Sequence, residues 1–194
     1  ALLTDHPPIV GVGPHTGDPH YAPTAATALP IGRDQVVLLD LWGKLSLPGA
    51  VYADITWTGV TGTPDAEVTD VFSVVAAARD AAVDRVQEAV AAGRPIRGWE
   101  VDRAARDHIE GAGYGNRFIH RTGHSLGTEV HGNGVHMDDY ETHDDRRLLV
   151  GTGFTIEPGI YLSRFGIRSE INVVVGQSAA EVTGPSQREL VRIV

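Results

Sequence analysis

The chain has 194 residues, a formal net charge of −9 at pH 7 and no cysteine. Its length fits one domain, built from two similar halves. The negative charge argues against a nucleic acid or a membrane as partner, because no basic field attracts phosphate. Disulfides and thiolate metal sites are excluded. With no membrane-spanning apolar run and no signal-peptide pattern, we expect a cytoplasmic protein.

The first sixty residues carry the patterns of β-strands. Apolar runs predict strands over 8–13 and 36–40. Residues 52–58 alternate between polar and apolar, which places Asp54 on the polar face of a third strand. Pro48 and the glycine after it predict a turn between the second and third strands.

The middle of the chain has helical periodicity, and the end returns to strands. Asp65 stands where a long helix with a valine and alanine stripe opens, and Gly93 is a natural stop for that helix. A second helix follows Gly98 and ends near residue 111. Further strands are predicted over 117–120, 153–161 and 166–175. This order predicts an α+β fold with a largely antiparallel sheet.

Four carboxylates lie within or beside these apolar strands: Asp40, Asp54, Glu157 and Glu170. A buried carboxylate is costly unless it is paired or bound to a cation. Few basic residues lie in the same strands, and Arg168 is the exception. Four such carboxylates in one small domain therefore point to a partner of high positive charge.

One histidine completes a candidate metal site. His124 follows Gly123, which lets the backbone bend and aim the ring. Four carboxylates and one imidazole suit two divalent ions, with manganese, cobalt, iron or zinc favoured over copper. Taken singly, each carboxylate fits a structural ion pair or a cap at least as well. The residues alone therefore leave a metal site and a structural role open.

Five motifs resemble one known family. LLDLWG, YADIT, FIHRTGHSLG, TIEPGIY and IRSEI are similar in order and separation to motifs of the metallopeptidase family of methionine aminopeptidase, aminopeptidase P and prolidase. The resemblance covers residues from about 8 to 194, and it implies the pita-bread fold, a curved and mostly antiparallel sheet with covering helices. In that family two helices precede the first strand. We therefore expect residues 1–194 to be a catalytic pita-bread domain that lacks these front helices and the family's amino-terminal domain, and inactivity of this domain in isolation is a hypothesis that follows.

The resemblance also implies residue roles. The implied metal ligands are Asp40, Asp54, His124, Glu157 and Glu170. The implied catalytic residues are His131, which would steady the transition state, Glu157, which would shuttle a proton, and His120. The implied substrate-side residues are His20, His120, His131 and Arg168, the last of which would also orient Glu170 or a neighbouring group.

The motifs FIHRTGH and EPGIY favour the proline-handling branch of the family. The resemblance implies hydrolysis of Xaa-Pro bonds, in dipeptides or longer peptides, by a water bridging two divalent metals. Manganese is the first choice, ahead of cobalt, zinc or iron. The partner is a peptide with proline after the scissile bond, and a homodimer is one option. Two alternatives stay open: a metal-free C–N hydrolase of the creatinase type and a non-catalytic binding module, both of which lose ligands that this chain keeps.

Overall fold

The computed structural model describes residues 1–193, which form eleven strands and two long helices. The strands are β1 (Leu2–Leu3), β2 (Ile9–Val12), β3 (Val36–Leu45), β4 (Ala53–Thr61), β5 (Ser125–Leu126), β6 (Gly153–Ile156), β7 (Gly159–Tyr161), β8 (Gly166–Arg168), β9 (Ile171–Val175), β10 (Ala180–Thr183) and β11 (Val191–Ile193). The helices are α1 (Ala66–Ala91) and α2 (Gly98–Gly111). All strand pairs between these elements are antiparallel except that of β11 with β4, so the predicted α+β class is confirmed.

The first sheet has β3 and β4 at its centre, with β1 and β2 paired to β3 and β11 paired to β4. In the β3–β4 register Asp40 faces Thr56, and Asp54 lies two residues before Thr56 on the same face of the sheet. This inner face is buried, as the alternation in the sequence predicts. On the opposite face Leu39 and Leu41 are exposed.

The second half of the chain forms a four-stranded sheet in the order β10–β9–β6–β5 and a separate hairpin of β7 with β8. The predicted strands over 153–161 and 166–175 are each interrupted. The first interruption falls at Glu157 and Pro158, since proline has no N–H for a strand ladder. The second falls at Glu170, whose N–H instead donates to the carbonyl of Thr56 in the first sheet, at 3.1 Å. Both glutamates therefore lie at strand breaks, where their side chains can leave the strand direction.

The two helices pack against each other and against the second half of the chain. Helix α1 begins where the sequence predicts, because the carboxylate of Asp65 accepts a hydrogen bond from the N–H of Val68 at 2.9 Å. Helix α2 begins at Gly98, where an added Cβ would lie 1.9 Å from the carbonyl oxygen of His136. Neither helix, within residues 1–193, is long and apolar enough to cross a membrane.

The prediction of a strand over 117–120 is wrong. Residues Gly115–Arg117 form a 3-10 helix, and the segment that follows is irregular. Its backbone groups are satisfied by side chains of α2 instead of by a neighbouring strand. Arg106 donates to the carbonyls of Phe118 and His120 at 3.1 and 2.9 Å, and Asp102 accepts from the N–H of Thr122 at 2.8 Å.

Candidate metal centre

The two halves of the molecule share a cavity of about 390 Å³. Its wall contains every residue to which the sequence analysis gives a site role: His20, Asp40, Asp54, His120, His124, His131, Glu157, Arg168 and Glu170. Ile9, Trp42 and Val130 supply apolar surface. Residues that are 150 positions apart in the chain are thus brought to one place.

Two threonines hold the ligand candidates of the second half. Thr155 accepts a hydrogen bond from the N–H of His124 and donates its own hydroxyl to Glu157 Oε1, both at 2.9 Å. Thr56 donates its hydroxyl to Glu170 Oε2 at 2.7 Å. One carboxylate oxygen of each glutamate is therefore fixed by a threonine.

Glycine is required at position 123 for a reason that differs from the predicted backbone bend. Its φ is not positive, so no bend that requires glycine is present. An added Cβ would lie 2.0 Å from the carbonyl oxygen of Thr155. The glycine is needed because the backbone before His124 packs directly on β6.

Arg168 is the buried cation of the site. Its guanidinium contacts Asp40 Oδ2 and donates to the hydroxyl of Thr56 at 3.1 Å. It also donates to the phenol oxygen of Tyr161 at 3.1 Å. Arg168 therefore reaches Asp40 directly and Glu170 only through Thr56.

Three buried carboxylate oxygens have no hydrogen-bond partner among residues 1–193: Asp40 Oδ1, Asp54 Oδ1 and Glu170 Oε1. Buried polar atoms are rarely left unpaired, because each one loses its hydration without compensation. Asp54, His124 and Glu170 also offer ligand atoms that lie within 4.8 Å of one another. Carboxylate oxygens and an imidazole in this arrangement fit a divalent cation.

The carboxylates of the site repel one another when no metal cation is bound. Burial raises the pKa of Asp54 to about 6 against a hydrogen bond with His124, and the negative charges of Asp40 and Glu157 add to the rise. Burial and the charge of Glu157 raise the pKa of Glu170 well above its usual range. Burial also raises the pKa of Asp40, although Arg168 opposes the rise.

Glu157 and His124 behave in the opposite way. Burial works against the charge of Glu157, but His124, His120 and Arg168 together outweigh it and lower the pKa of this carboxyl. Burial likewise disfavours protonated His124, yet the carboxylates of Asp54 and Glu157 raise its pKa. The imidazole nitrogen Nε2 lies 3.6 Å from Asp54 Oδ2 and 3.4 Å from Glu157 Oε1. In the protein without a metal ion, protonated His124 thus supplies a positive charge next to Asp54 and Glu157.

The remaining histidines line the cavity at different depths. His120 is buried, its Nε2 lies 2.7 Å from the hydroxyl of Tyr161, and burial lowers its pKa to about 4. The ring of His131 lies 4.4 Å from that of His124, between centroids, and is open to solvent. His20 is exposed at the edge.

Five residues of this region have no role that the sequence predicts: Thr56, Thr155, Tyr161, Arg121 and Glu141. The alternation of residues 52–58 already places Thr56 on the face of Asp54, and Tyr161 belongs to the motif TIEPGIY. Arg121 and Glu141 line the cavity, but no pattern in the sequence connects them.

Comparison with known proteins gives the family. The model of metallopeptidase family M24 matches residues 2–177. The chain belongs to this family.

The names of several relatives agree with the proline-handling branch. "Probable dipeptidase PepE" of Mycobacterium tuberculosis (strain ATCC 25618 / H37Rv) is 35% identical over 185 residues, which are 94% of this chain and 45% of the relative. The Xaa-Pro dipeptidase of Pyrococcus furiosus is 32% identical over 187 residues, 94% of this chain and 48% of the relative. The chain thus spans about half the length of these M24 proteins.

A solved structure confirms the pita-bread fold of this M24 chain. The crystal structure of dipeptidase PepE from Mycobacterium ulcerans superposes with a TM-score of 0.83 and 34% identity, over 95% of this chain and 46% of that one. Membership of a metallopeptidase family agrees with the use of divalent metal ions.

Proposed function

We propose that the chain carries the two-metal centre of a peptidase that hydrolyses the bond before proline in Xaa-Pro dipeptides or longer peptides. The observation that carries this proposal is a set of three buried carboxylate oxygens that have no hydrogen-bond partner within residues 1–193, in the cavity that His124 also lines. The names of the relatives support the substrate class.

The residues that would hold the metals are Asp40, Asp54, His124, Glu157 and Glu170. We propose manganese as the metal, with cobalt, zinc or iron as alternatives, because oxygen-rich ligation with one imidazole suits these ions. When bound, such ions supply a nucleophilic water at neutral pH and a Lewis acid for the scissile carbonyl.

The other site residues act on the substrate. His131, open to the cavity beside His124, would donate a hydrogen bond to the oxyanion that forms at the scissile carbonyl. Thr155 holds Oε1 of Glu157, which leaves Oε2, without a hydrogen bond within residues 1–193, as the oxygen that would accept a proton. His120, oriented by Tyr161, and the exposed His20 would contact the peptide, and Arg168 would position Asp40 and Glu170.

Neither alternative from the sequence analysis is favoured. A creatinase-type hydrolase and a binding module are both expected to lack metal ligands. All five ligand positions are filled here, and in three of them one carboxylate oxygen has no hydrogen-bond partner within residues 1–193. A cytoplasmic location and a homodimer stay predictions from the sequence.

The test combines metal content with turnover. The intact protein, loaded with manganese, cobalt or zinc, is expected to hold close to two ions and to hydrolyse Xaa-Pro faster than Xaa-Ala dipeptides. Asp54→Ala and Glu170→Ala should each abolish both properties. Asp70→Ala, which removes an exposed carboxylate of α1, is the matched control and should change neither. Substoichiometric metal in the wild type, or equal rates on both dipeptides, would contradict the proposal.

A further inference from the structure

Two arginines line the cavity, and they differ in how their charges are used. The side chain of Arg168 is only 4% exposed, and its guanidinium is fully engaged by Asp40, Thr56, Tyr161 and the carbonyl of Pro19. The side chain of Arg121 is 26% exposed. Arg121 is therefore the cation of the wall that an incoming ligand can reach.

The backbone of Arg121 is fixed while its guanidinium stays free. The N–H of Arg121 donates to Glu141 Oε1 at 3.2 Å, and its carbonyl lies 2.7 Å from His120 Nδ1. Within residues 1–193 the guanidinium makes no hydrogen bond. Its nearest charged partner is Glu141 Oε2 at 3.8 Å, on a side chain that is 46% exposed. Such a solvent-exposed ion pair is weak and easily exchanged.

The guanidinium of Arg121, next to His120 in the chain, suits a carboxylate ligand. Its planar set of N–H donors matches a carboxylate, which it binds through two parallel hydrogen bonds. The four carboxylates of the inner wall are the proposed metal ligands, and they offer no hydrogen-bond donor to a negative group of the substrate. In a dipeptide the terminal carboxylate lies one residue from the scissile bond, and Arg121 is the chain neighbour of His120.

We propose that Arg121 binds the terminal carboxylate of the substrate, in exchange for Glu141, and thereby selects dipeptides over longer peptides. This assignment rests on the proposed Xaa-Pro peptidase function. It makes Arg121 a specificity residue and makes Glu141 the group that occupies Arg121 when the cavity is empty.

The test compares an Xaa-Pro dipeptide with its carboxamide, which differs only in the charge of the terminus. In the intact, metal-loaded protein, kcat/KM for the acid should exceed that for the amide by about 10-fold or more, the size expected for a charge-assisted hydrogen bond. Arg121→Met should bring the ratio of acid to amide close to one, mainly through KM. Arg121→Lys keeps the charge but loses the two parallel N–H donors, so its ratio of acid to amide should be intermediate.

Two further variants sharpen the test. Glu141→Gln keeps an acceptor for the N–H of Arg121 and removes the competing charge, so the ratio should stay or rise. Arg117→Met removes an exposed arginine of the 3-10 helix that does not line the cavity, so the ratio should stay at the wild-type value. A wild-type ratio near one, or an Arg121→Met variant with the wild-type ratio, would overturn the assignment.

A binding measurement separates this assignment from the proposed function. The probe is a reduced analogue, in which a methylene group replaces the scissile carbonyl, with either an acid or an amide terminus. Tighter calorimetric binding of the acid, lost in Arg121→Met, supports the carboxylate site even if neither dipeptide is hydrolysed and the proposed function fails. Equal binding of the two analogues overturns the site even if Xaa-Pro dipeptides are hydrolysed.

Discussion

At the scale of single residues, Asp54 is held in a place that suits a cation better than a free carboxylate. One of its oxygens is buried without a hydrogen-bond partner in the described part of the chain, and burial raises the pKa of Asp54 from 3.8 to about 6. A carboxyl with a raised pKa in the folded state binds its proton more tightly there than in the unfolded chain. Its contribution to stability is therefore complete below pH 3.8 and is lost as the pH rises through 6.

This sign gives a prediction for Asp54→Asn in the metal-free protein. The amide does not ionise, so the free energy of unfolding of the variant should rise relative to that of the wild type as the pH rises from 4 to 8. The gain should approach about 3 kcal/mol, since each unit of pKa shift corresponds to about 1.4 kcal/mol. Denaturant unfolding with a chelator at several pH values measures it. If the difference in free energy of unfolding between the two proteins does not change with pH, the pKa of Asp54 is not raised in the folded protein.

Thr56 is the residue that connects Arg168 to Glu170, since its hydroxyl accepts from the arginine and donates to the glutamate. Thr56→Val should leave both groups short of a partner and cost about 1–3 kcal/mol of stability. It should also weaken metal binding by about 10- to 100-fold, the usual effect of losing a group that orients a ligand. Metal titration by calorimetry checks this. Thr56→Ser keeps the hydroxyl, and an equal loss in this control would assign the effect to packing.

At the scale of elements, helix α2 fixes the segment that carries His120. The buried pair of Asp102 and Arg106 is joined by two hydrogen bonds, of 2.8 and 3.0 Å, and binds the backbone of residues 118, 120 and 122. Asp102 and Arg106, one helical turn apart, thus supply the hydrogen bonds that a neighbouring strand would give to this irregular segment. The helix positions part of the cavity wall without contributing a residue to it.

Breaking this pair should be costly. Arg106→Met leaves the buried Asp102 charge uncompensated, and we expect a loss of about 3–5 kcal/mol in the free energy of unfolding. The double variant Asp102→Asn with Arg106→Met removes both charges, so it should be more stable than Arg106→Met alone. Denaturant unfolding of the three proteins gives the answer. If Arg106→Met costs under about 1 kcal/mol, the pair does not hold the segment.

The elements were predictable where their causes are local. Both helices follow from apolar spacing and from signals near their ends, such as Asp65 and Gly98. The strand at 117–120 could not be excluded from the sequence, because Arg106 and Asp102 satisfy its backbone from another element. The strand break at Glu170 has a similar cause, since its N–H bonds to Thr56 more than a hundred residues away.

At the scale of the whole molecule, the cavity lies between the sheet of β3 and β4 and the strands of the second half of the chain. The nine residues with a predicted site role line one cavity, as the resemblance to a family implies, whereas composition and periodicity alone do not bring them together; their roles stay predictions. Their partners Thr56, Tyr161 and Arg121 were not predictable as such. Their roles depend on which atoms of distant segments meet in the folded chain.

The ligand candidates divide between the two sheets, which gives a last prediction. Asp40 and Asp54 belong to β3 and β4, whereas His124, Glu157 and Glu170 adjoin β5, β6 and β9. Ions bound by both groups would join the sheets in the folded state only, so manganese should raise the free energy of unfolding, by about 2.7 kcal/mol at one hundred times Kd. For a domain of this size that is a rise in Tm of about 5–11 °C, given about 2–4 °C per kcal/mol.

Thermal unfolding with and without manganese measures this rise, and Asp70→Ala, an exposed change, should keep it. Glu170→Gln should lose it, because the amide cannot replace an anionic ligand at the junction with β9. A Tm that manganese leaves unchanged in the wild type would mean that the two groups of ligands do not share ions. The unpaired oxygens of Asp40, Asp54 and Glu170 would then need another explanation, since the sheets meet at these three side chains.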